Sequence, residues 1–258
     1  MRRDMPAMFG PSLMPDVTHV PAIEAAAISF ETTADAAAPL LPRFFSLPDR
    51  PLITITRMLY TGVDYMGGRG YAELVLSVSA VYEGPEGRLQ GNFLPVLWVD
   101  DVSAIIAGRE YMGYAKLGGQ IEDVADSGDQ LAFECREYGT NLMRGTLSNL
   151  RELDEQRLAR VSAAGSSGVA FGWKYISGPQ GAVDADYPTS VVNRWIYERA
   201  WVGEGRMEWF TPNAAEAPFS SRILSVFAAL PVLEYRPAFR GQGHGEIDRQ
   251  ATRRLAAA

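Results

Sequence analysis

The chain has 258 residues, of which 47% are hydrophobic and 21% are charged, so it is long enough to bury a sizeable core. Its formal net charge of -7 argues against a surface for nucleic acid or anionic membranes, because both need a basic patch. No run approaches the ~20 apolar residues that cross a bilayer. The single cysteine, Cys135, excludes an internal disulfide framework and is typical of a reducing compartment. We therefore expect a cytoplasmic protein that acts on small metabolites.

The first half of the chain predicts strands after an irregular, Met- and Pro-rich N-terminal arm, 1–22. Strands are indicated where apolar side chains alternate between turn residues, and the candidates are 25–32, 51–60, 71–82 and 93–99, with a short helix between the first two. Side chains alternate along a strand, so Leu74 and Leu76 share one face of 71–82, whereas Tyr71 and Glu73 share the other.

The second half predicts further strands at 130–138, 141–147, 169–176, 191–202, 206–210 and 232–235. We expect 191–202 and 206–210 to pair around Gly203 and Gly205, the leucine spacing over 147–161 to form a helix, and 220–230 to form another. The Gly-, Arg- and Ala-rich segment 238–258 predicts a flexible tail, which leaves a single domain, 23–237. Many strands joined by tight turns, without regular strand and helix alternation, favour an antiparallel α+β fold.

The stretch Gly108 to Glu122 carries the main candidate for chemistry. It places Lys116 between Ala115 and Leu117, in a chain that has two lysines, the other being Lys174, among 24 basic residues. Arginine stays protonated, whereas a desolvated lysine can lose its proton and act as a nucleophile. The pattern alone leaves open a lysine whose stem merely covers apolar surface. Lys174 lies in an alternating strand and is interpreted as structural.

Gly108-Arg109-Glu110 is followed by Tyr114 and Lys116, and Tyr71-Ala72-Glu73-Leu74 comes earlier in the chain. This combination resembles the signature of the acetoacetate decarboxylase superfamily, and the likeness extends over roughly residues 25–236. It implies a mainly antiparallel, closed, cone-like β-barrel with a few flanking helices. It also identifies Lys116 as the lysine that forms a Schiff base with a ketone.

Three positions depart from the family pattern. Leu117 stands where the family has a second lysine that is held to activate the nucleophile. Ile23 falls near the position of an arginine at the pocket entrance, and Thr56 near one of two pocket glutamates, whereas Glu73 matches the other. The departures put decarboxylation in question rather than imine formation, and they require burial to contribute more to the activation of Lys116.

The resemblance and the side-chain chemistry together give the candidate site, with catalytic residues Lys116, Glu73 and Tyr235 and substrate-binding residues Tyr71, Arg109, Tyr114 and Gln120. A carboxylate suits general acid/base work, and a phenol beside an imine carbon can donate or carry a proton. Arg109 can bind a substrate carboxylate, or it can form an ion pair with Glu110. No Cys, His and carboxylate cluster has metal-ligand spacing, so we expect neither a metal nor another cofactor.

An imine on Lys116 would serve two reactions. A β-keto acid loses carbon dioxide to give the enamine, whereas an α-keto acid such as pyruvate loses an α-proton, after which the enamine adds to an aldehyde and water is lost. Because the accessories of decarboxylation are missing, we favour aldolase-dehydratase chemistry on a small keto acid and an aldehyde. The alternatives are acetoacetate decarboxylation and a non-catalytic small-molecule-binding barrel. The expected assembly is a homo-oligomer, a dimer or a tetramer.

Overall fold

The computed structural model describes residues 3–10, 12, 14–85 and 87–255. Its strands and helices are, in chain order, β1 (Val17–Glu31), α1 (Ala34–Ala37), β2 (Phe45–Ser46), β3 (Leu52–Val63), β4 (Arg69–Gly84), β5 (Gly87–Val99), α2 (Val102–Ala107), β6 (Lys116–Gly118), β7 (Gln120–Asp126), β8 (Leu131–Glu137), β9 (Thr140–Glu152), α3 (Glu155–Gly165), β10 (Val169–Ser177), β11 (Val183–Trp209), α4 (Ser221–Ala228), β12 (Glu234–Tyr235) and β13 (Ala238–Arg254). A π-helical turn, Gly108–Met112, follows α2. None of the described helices is long and apolar enough to span a membrane.

A closed β-barrel forms the centre of the molecule. Its strands are hydrogen bonded in the order β10, β5, β4, β3, β1, β13 and β11, and β11 pairs again with β10 to complete the ring. The neighbouring strands run antiparallel, except that β10 runs parallel to β5. This architecture confirms the predicted mainly antiparallel barrel with a few flanking helices.

The two faces of the barrel wall have different surroundings, because successive side chains of a strand point to opposite faces. On β4, Leu74 and Leu76 face outward, whereas Tyr71 and Glu73 face the interior, as the alternation predicts. On the adjacent strand β3, Ile55 faces outward and Tyr60 faces inward. The interior therefore receives the polar and aromatic side chains of β3 and β4 together with aliphatic ones such as Met58 and Leu97, whereas the outward face of these strands is aliphatic.

The outward-facing aliphatic side chains are covered by an extension of the sheet. Strands β9, β8 and β7 continue from β11 and fold back across the outside of the barrel. Phe133, Leu142 and Leu147 of this layer pack with Ile55 and Leu76 of the wall, and we call this cluster the outer core. Each such side chain contributes about 1.5–3 kcal/mol when it is fully buried. The outer core thus holds the barrel wall from behind.

The predicted irregular arm is wrong from Val17 onward, and the predicted flexible tail is wrong over 238–254. Strand β1 already begins at Val17, and β13 occupies Ala238–Arg254 between β1 and β11. The glycines that suggested a loose tail allow close strand contact instead: a Cβ on Gly243 would lie 1.9 Å from the carbonyl oxygen of Ile196. Residues 1, 2, 11 and 13 of the arm and 256–258 of the tail lie outside the described residues.

Two element predictions in the second half are also wrong. Strand β11 runs unbroken through Gly203 and Gly205, so 191–202 and 206–210 do not form a hairpin. The leucines over 147–152 belong to β9, where Asn149 has a positive φ of 54° and interrupts the strand alternation. Helix α3 begins later, at Glu155, and Asp154 caps it by accepting a hydrogen bond from the Arg157 N–H at 2.9 Å.

Candidate active site

The candidate lysine follows a compact helical turn. Asp101 caps α2 by accepting hydrogen bonds from the N–H groups of Ser103 at 2.8 Å and Ala104 at 3.1 Å. The π-helical turn continues α2 and ends at Gly113, whose φ of 71° lies in the left-handed region. The chain then enters β6, in which Lys116 pairs with Leu97 of β5.

Three contacts hold this turn around the lysine. A Cβ on Gly108 would lie 2.5 Å from Lys116 Cδ, so the glycine makes room for the lysine stem. The guanidinium of Arg109 donates to the carbonyl oxygen of Lys116 at 3.3 Å. Lys174 on β10 donates to the carbonyl oxygen of Glu110, a contact that agrees with its interpretation as structural. The turn is therefore fixed on both sides, and the lysine side chain has a defined path.

Inside the barrel, Lys116 forms a short hydrogen-bonded chain with Glu73 and Tyr60. Lys116 Nζ donates to Glu73 Oε2 at 2.9 Å, and Tyr60 Oη donates to Glu73 Oε1 at 2.7 Å. Lys116 is 5% exposed and Glu73 is 6% exposed. Both carboxylate oxygens of Glu73 are thus held by groups that can exchange a proton with it.

Tyrosine side chains surround the hydrogen-bonded Lys116 and Glu73 pair. The ring of Tyr71 lies 5.5 Å from Lys116 Nζ and 4.5 Å from the ring of Tyr60, and Asn193 Nδ2 donates to Tyr114 Oη at 3.4 Å. Burial, followed by the nearby charge of Glu73, raises the pKa of Tyr60 and Tyr71 well above the ordinary value, and burial also raises the pKa of Tyr114. All three phenols therefore stay protonated near neutral pH and act as hydrogen-bond donors.

Two neighbouring cavities inside the barrel share part of their lining. The small cavity, of about 20 Å³, is bordered by Lys116 and Tyr71, and the large cavity, of about 250 Å³, extends toward the loop between α3 and β10. They share the side chains of Glu73, Tyr60, Tyr114, Asn193 and Trp195. In the described walls of the large cavity, Glu73 is the one charged side chain. A substrate in the large cavity would therefore meet Glu73, and Lys116 borders the adjoining small cavity on the other side of this carboxylate.

A third cavity, of about 530 Å³, lies on the outer side of β6 and also borders Lys116. Its walls include Leu117, Arg109 and Gln120 but not Glu73, the hydrogen-bond partner of the amine. Because Glu73 lines the two interior cavities, the amine faces the interior. The larger size of the outer cavity does not make it the place where an imine would form.

The structure brings four of the seven predicted site residues together and separates the other three. Lys116, Glu73, Tyr71 and Tyr114 share the small cavity. Arg109 and Gln120 line the outer cavity instead. Arg109 donates to the backbone, and within the described part of the chain it forms no ion pair with Glu110. Gln120 Oε1 accepts a hydrogen bond from the Gly139 N–H at 3.0 Å.

Tyr235 is a clear correction. It lies on β12, which pairs with the end of β1, and its ring packs 5.9 Å from Phe30 at the outer core. Its hydroxyl accepts from the Met207 N–H at 3.4 Å. Tyr235 therefore belongs to a short structural strand, and it does not line either interior cavity.

Several interior residues were missed. Tyr60 lies opposite Tyr71 in the pairing of β3 with β4, and the alternation of 51–60 already placed it on the face opposite Ile53 and Ile55. Asn193 and Trp195 alternate into the interior from β11, within a segment that was predicted as a strand. Arg249, which borders the small cavity, was missed because its segment was predicted to be a loose tail.

The three departures from the family pattern occupy different places. Ile23 is buried in the interior wall, and Thr56 lines the large cavity, so both positions are uncharged parts of the barrel interior. Leu117 faces the other way, where it packs against the outer core. A residue at 117 therefore does not adjoin the amine. The expectation that Leu117 deprives Lys116 of an activating neighbour is wrong, because a lysine at 117 would not lie beside it.

Within the described ranges, no group of three or more His, Cys, Asp or Glu side chains is placed to hold a metal ion.

Comparison with known proteins agrees with this fold. The family profile of acetoacetate decarboxylase (ADC) matches residues 4–246. Comparison with curated proteins finds no matching relative.

Among solved structures, an acetoacetate decarboxylase superposes with a TM-score of 0.78 at 19% identity, over 98% of this chain and 95% of that chain. The acetoacetate decarboxylase of Legionella pneumophila subsp. pneumophila str. Philadelphia 1 gives 0.74 at 18% identity, over 98% and 93%. The enduracididine biosynthesis enzyme MppR, in complex with the condensation product of pyruvate and imidazole 4-carboxaldehyde, gives 0.70 at 16% identity, over 97% and 94%. These superpositions show a shared fold, and the family profile covers nearly the whole chain. The chain therefore belongs to the acetoacetate decarboxylase family.

Proposed function

We propose that this protein is a Schiff-base-forming carbon–carbon lyase that joins a small keto acid to an aldehyde by aldol addition and dehydration. The observation that carries the proposal is the 2.9 Å hydrogen bond between Lys116 Nζ and Glu73 Oε2 at the end of an enclosed barrel cavity. A buried amine beside a carboxylate has both the nucleophile and the proton acceptor that imine formation needs. The steps draw on side chains of this chain and require no cofactor.

Imine formation begins when Glu73 accepts a proton from Lys116 across their hydrogen bond. The neutral amine attacks the keto carbon, and the carbinolamine loses water to give a protonated imine. Tyr60 donates to the second oxygen of Glu73, so the carboxylate keeps its orientation while its protonation changes. Glu73 and Tyr60, which line both interior cavities, thus take part directly in imine formation.

Condensation follows from the same groups. Glu73 removes an α-proton from the imine to give the enamine, whose carbon adds to an aldehyde in the large cavity. The new alkoxide takes back the proton that Glu73 removed. Glu73 then removes a second proton from the same carbon and passes it to the hydroxyl, which leaves as water as the carbon–carbon double bond forms. Hydrolysis of the imine releases an unsaturated keto acid and restores Lys116. Tyr114 and Tyr71 remain protonated because of their raised pKa, so they suit the role of donors to the departing oxygen.

Two interior positions favour condensation over decarboxylation. Ile23 and Thr56 replace the arginine and the glutamate that the family pattern places at the pocket, and both face the barrel interior as uncharged side chains. MppR, which shares the fold, has been described with a condensation product of pyruvate and an aldehyde. A barrel of this shape can therefore hold such a product.

The reaction is tested by incubating the protein with pyruvate and a panel of aldehydes while following the absorbance of the conjugated product. Carbon dioxide release from acetoacetate is measured in parallel, and Lys174→Arg serves as the matched lysine control. We expect condensation with at least one aldehyde and little gas release, in the wild type and in the control. Robust decarboxylation without condensation would favour an acetoacetate decarboxylase. The absence of both reactions would favour a non-catalytic binding protein.

A further inference from the structure

The large cavity changes in polarity along its length. At the end that it shares with the small cavity, it is lined by Glu73 and by the phenols of Tyr60 and Tyr114. The next inward-facing side chains of β4 are Val75 and then Ser77, and both line the large cavity. Successive side chains on one face of a strand are about 7 Å apart. The inward face of β4 therefore leads from a carboxylate through an apolar side chain to a neutral hydroxyl.

The level beyond the carboxylate is mainly apolar and contains one hydroxyl. Val75 pairs with Thr56 of β3 and with Leu97 of β5, and all three line the large cavity. Ser77 Oγ, one level further out, donates to the carbonyl oxygen of Thr54 at 3.4 Å. The Thr56 hydroxyl, by contrast, has no side-chain hydrogen bond among the described residues. Thr56 therefore offers both a donor and an acceptor to a ligand in the cavity.

The dimensions of the large cavity fit a single ring. Its volume of about 250 Å³ lies below the roughly 300–1,000 Å³ of pockets for drug-sized ligands. Trp195 and Tyr197 of β11 line it, and their faces favour contact with an apolar or aromatic group. The step from the level of Glu73 to that of Thr56 is about 7 Å, which one benzene ring with a para substituent spans. An aromatic aldehyde with its carbonyl near Glu73 would thus place its para substituent near Thr56.

Charge narrows the substrate further. Glu73 is the one charged side chain in the described walls of the large cavity, and its two oxygens already accept hydrogen bonds from Lys116 and Tyr60. An anionic group at Thr56 would lose its hydration and would lie near a carboxylate with no cation beside it, and both effects oppose binding. A cationic group there would lose its hydration without a direct partner. An uncharged hydroxyl avoids both costs.

We propose that the aldehyde partner is uncharged, that it carries an apolar or aromatic group next to its carbonyl, and that Thr56 binds a hydroxyl beyond this group. The proposal rests on the proposed function, since it takes the large cavity as the aldehyde site. Thr56 stands at the position where the family pattern has a pocket glutamate. The same replacement that removes a charge from the interior thus selects the second substrate.

The test compares three benzaldehydes that differ in the para substituent: para-methylbenzaldehyde, para-hydroxymethylbenzaldehyde and para-formylbenzoate. The value of kcat/KM for condensation at saturating pyruvate is measured for each from the absorbance of the conjugated product. The variants are Thr56→Val, which keeps the shape of the side chain but removes the hydroxyl, and Thr56→Lys, which introduces a cation. Thr61→Val is the matched control, because Thr61 is exposed on the same strand and does not line the cavity.

In the wild type we expect para-hydroxymethylbenzaldehyde to give the highest kcat/KM and para-formylbenzoate the lowest. In Thr56→Val the ratio of the hydroxymethyl to the methyl substrate should fall about fivefold, mainly through KM, as for the loss of one neutral hydrogen bond. Thr56→Lys should raise the relative kcat/KM of para-formylbenzoate about tenfold or more, as for a charged hydrogen bond. Thr61→Val should keep the wild-type order. A ratio that Thr56→Val leaves unchanged, or a wild type that prefers para-formylbenzoate, would overturn the proposal, and Thr56→Val decides alone if Thr56→Lys does not fold.

A binding measurement separates this proposal from the proposed function. The unreactive alcohols para-methylbenzyl alcohol and para-hydroxymethylbenzyl alcohol are compared by ligand-observed NMR in the wild type and in Thr56→Val. Tighter binding of the diol that depends on Thr56, in a protein that condenses no aldehyde, would support the hydroxyl site and contradict the proposed function. Condensation without any dependence on Thr56 would overturn the hydroxyl site and leave the proposed function standing. The absence of both would overturn both.

Discussion

The barrel interior and the seam between the barrel and its outer layer each contain a buried cation with carboxylate partners, but the two differ in what surrounds them. Arg57, on β3, is 0% exposed; its Nη1 donates to Glu24 at 2.7 Å, its Nε donates to Asp123 at 2.8 Å, and its Nη2 also contacts Asp123. Lys116 is paired with one carboxylate, Glu73, and it borders a cavity. The first cation is enclosed by partners, whereas the second has space beside it.

The residue types agree with this difference. Arginine offers five donors and does not release a proton, so it suits a seam that has to remain closed. Burial alone would raise the pKa of Glu24, but hydrogen bonds from Gln242 and Arg57 outweigh it and lower that pKa, which keeps the network ionised. Lysine can give up its proton to a neighbouring carboxylate. Under the proposed function, burial of a charge serves structure in the seam and chemistry in the interior.

The largest effect should come from Glu73→Gln, which keeps the shape of the carboxylate but removes its basicity. Because Glu73 is the proposed acceptor for both the amine proton and the α-proton, we expect product formation to fall by about 10²–10⁴-fold. Initial rates of condensation with pyruvate measure this loss. The matched control is Glu134→Gln at the outer layer, bonded to Arg136 and Arg144, which should stay within about threefold of wild type while folded. Equal losses in both variants would contradict the assignment.

The seam should show the opposite behaviour. Arg57→Met removes a fully buried guanidinium from the half-buried Glu24 and the exposed Asp123, and the loss of hydrogen bonds to these charged groups costs about 1.5–3 kcal/mol of unfolding free energy. Urea unfolding measures the change, and Arg199→Met, which breaks the exposed pair with Glu152, should produce a much smaller one. If Arg57→Met lost activity under conditions in which urea unfolding shows that it is still folded, the contrast between the two regions would be wrong.

The sequence predicts the interior face of the barrel better than its strand order. Alternation over 71–82 places Glu73 and Tyr71 inside, and the isolation of Lys116 among arginines marks the amine, because both signals are local. Arg249 could not be found in this way, since β13 acquires its structure by pairing with β1 and β11, which come from distant parts of the chain. Glycines mislead for the same reason: in β11 and β13 they permit close strand contact, whereas locally they suggest turns and flexibility.

A smaller effect concerns the phenols that surround the amine. The raised pKa of Tyr71 means that above pH ~10 the unfolded chain loses this proton while the folded chain retains it, so the free energy of unfolding falls with rising pH. The contribution is fully present below pH ~10 and is lost at about 1.4 kcal/mol per pH unit above it. Tyr71→Phe should therefore make the alkaline slope shallower by about this amount.

Denaturant titrations at several pH values between about 9 and 11 measure the slope. Tyr138→Phe is the control, because Tyr138 is 78% exposed, and it should keep the wild-type slope. If both variants gave the same slope, the phenol of Tyr71 would not be buried in solution as the structure describes.

The smallest effect is expected for Leu117→Lys, which restores the second lysine of the family pattern. Because Leu117 packs against the outer core and the amine of Lys116 faces the interior, the added charge should leave the pH profile of imine formation nearly unchanged. Adduct yield after borohydride treatment at a series of pH values provides the profile. A shift approaching one pH unit would show that residue 117 lies close enough to act on the amine.

The central claim, that Lys116 is the nucleophile, is tested most directly by mapping the reduced adduct. The protein is incubated with pyruvate and borohydride, digested, and analysed by peptide mass spectrometry, with Lys116→Arg as the variant that retains a positive charge but provides no amine. Since the chain has two lysines, the site of modification is decided between Lys116 and Lys174. The account predicts an adduct on Lys116 that Lys116→Arg abolishes. An adduct on Lys174, or none with any keto acid, would contradict it.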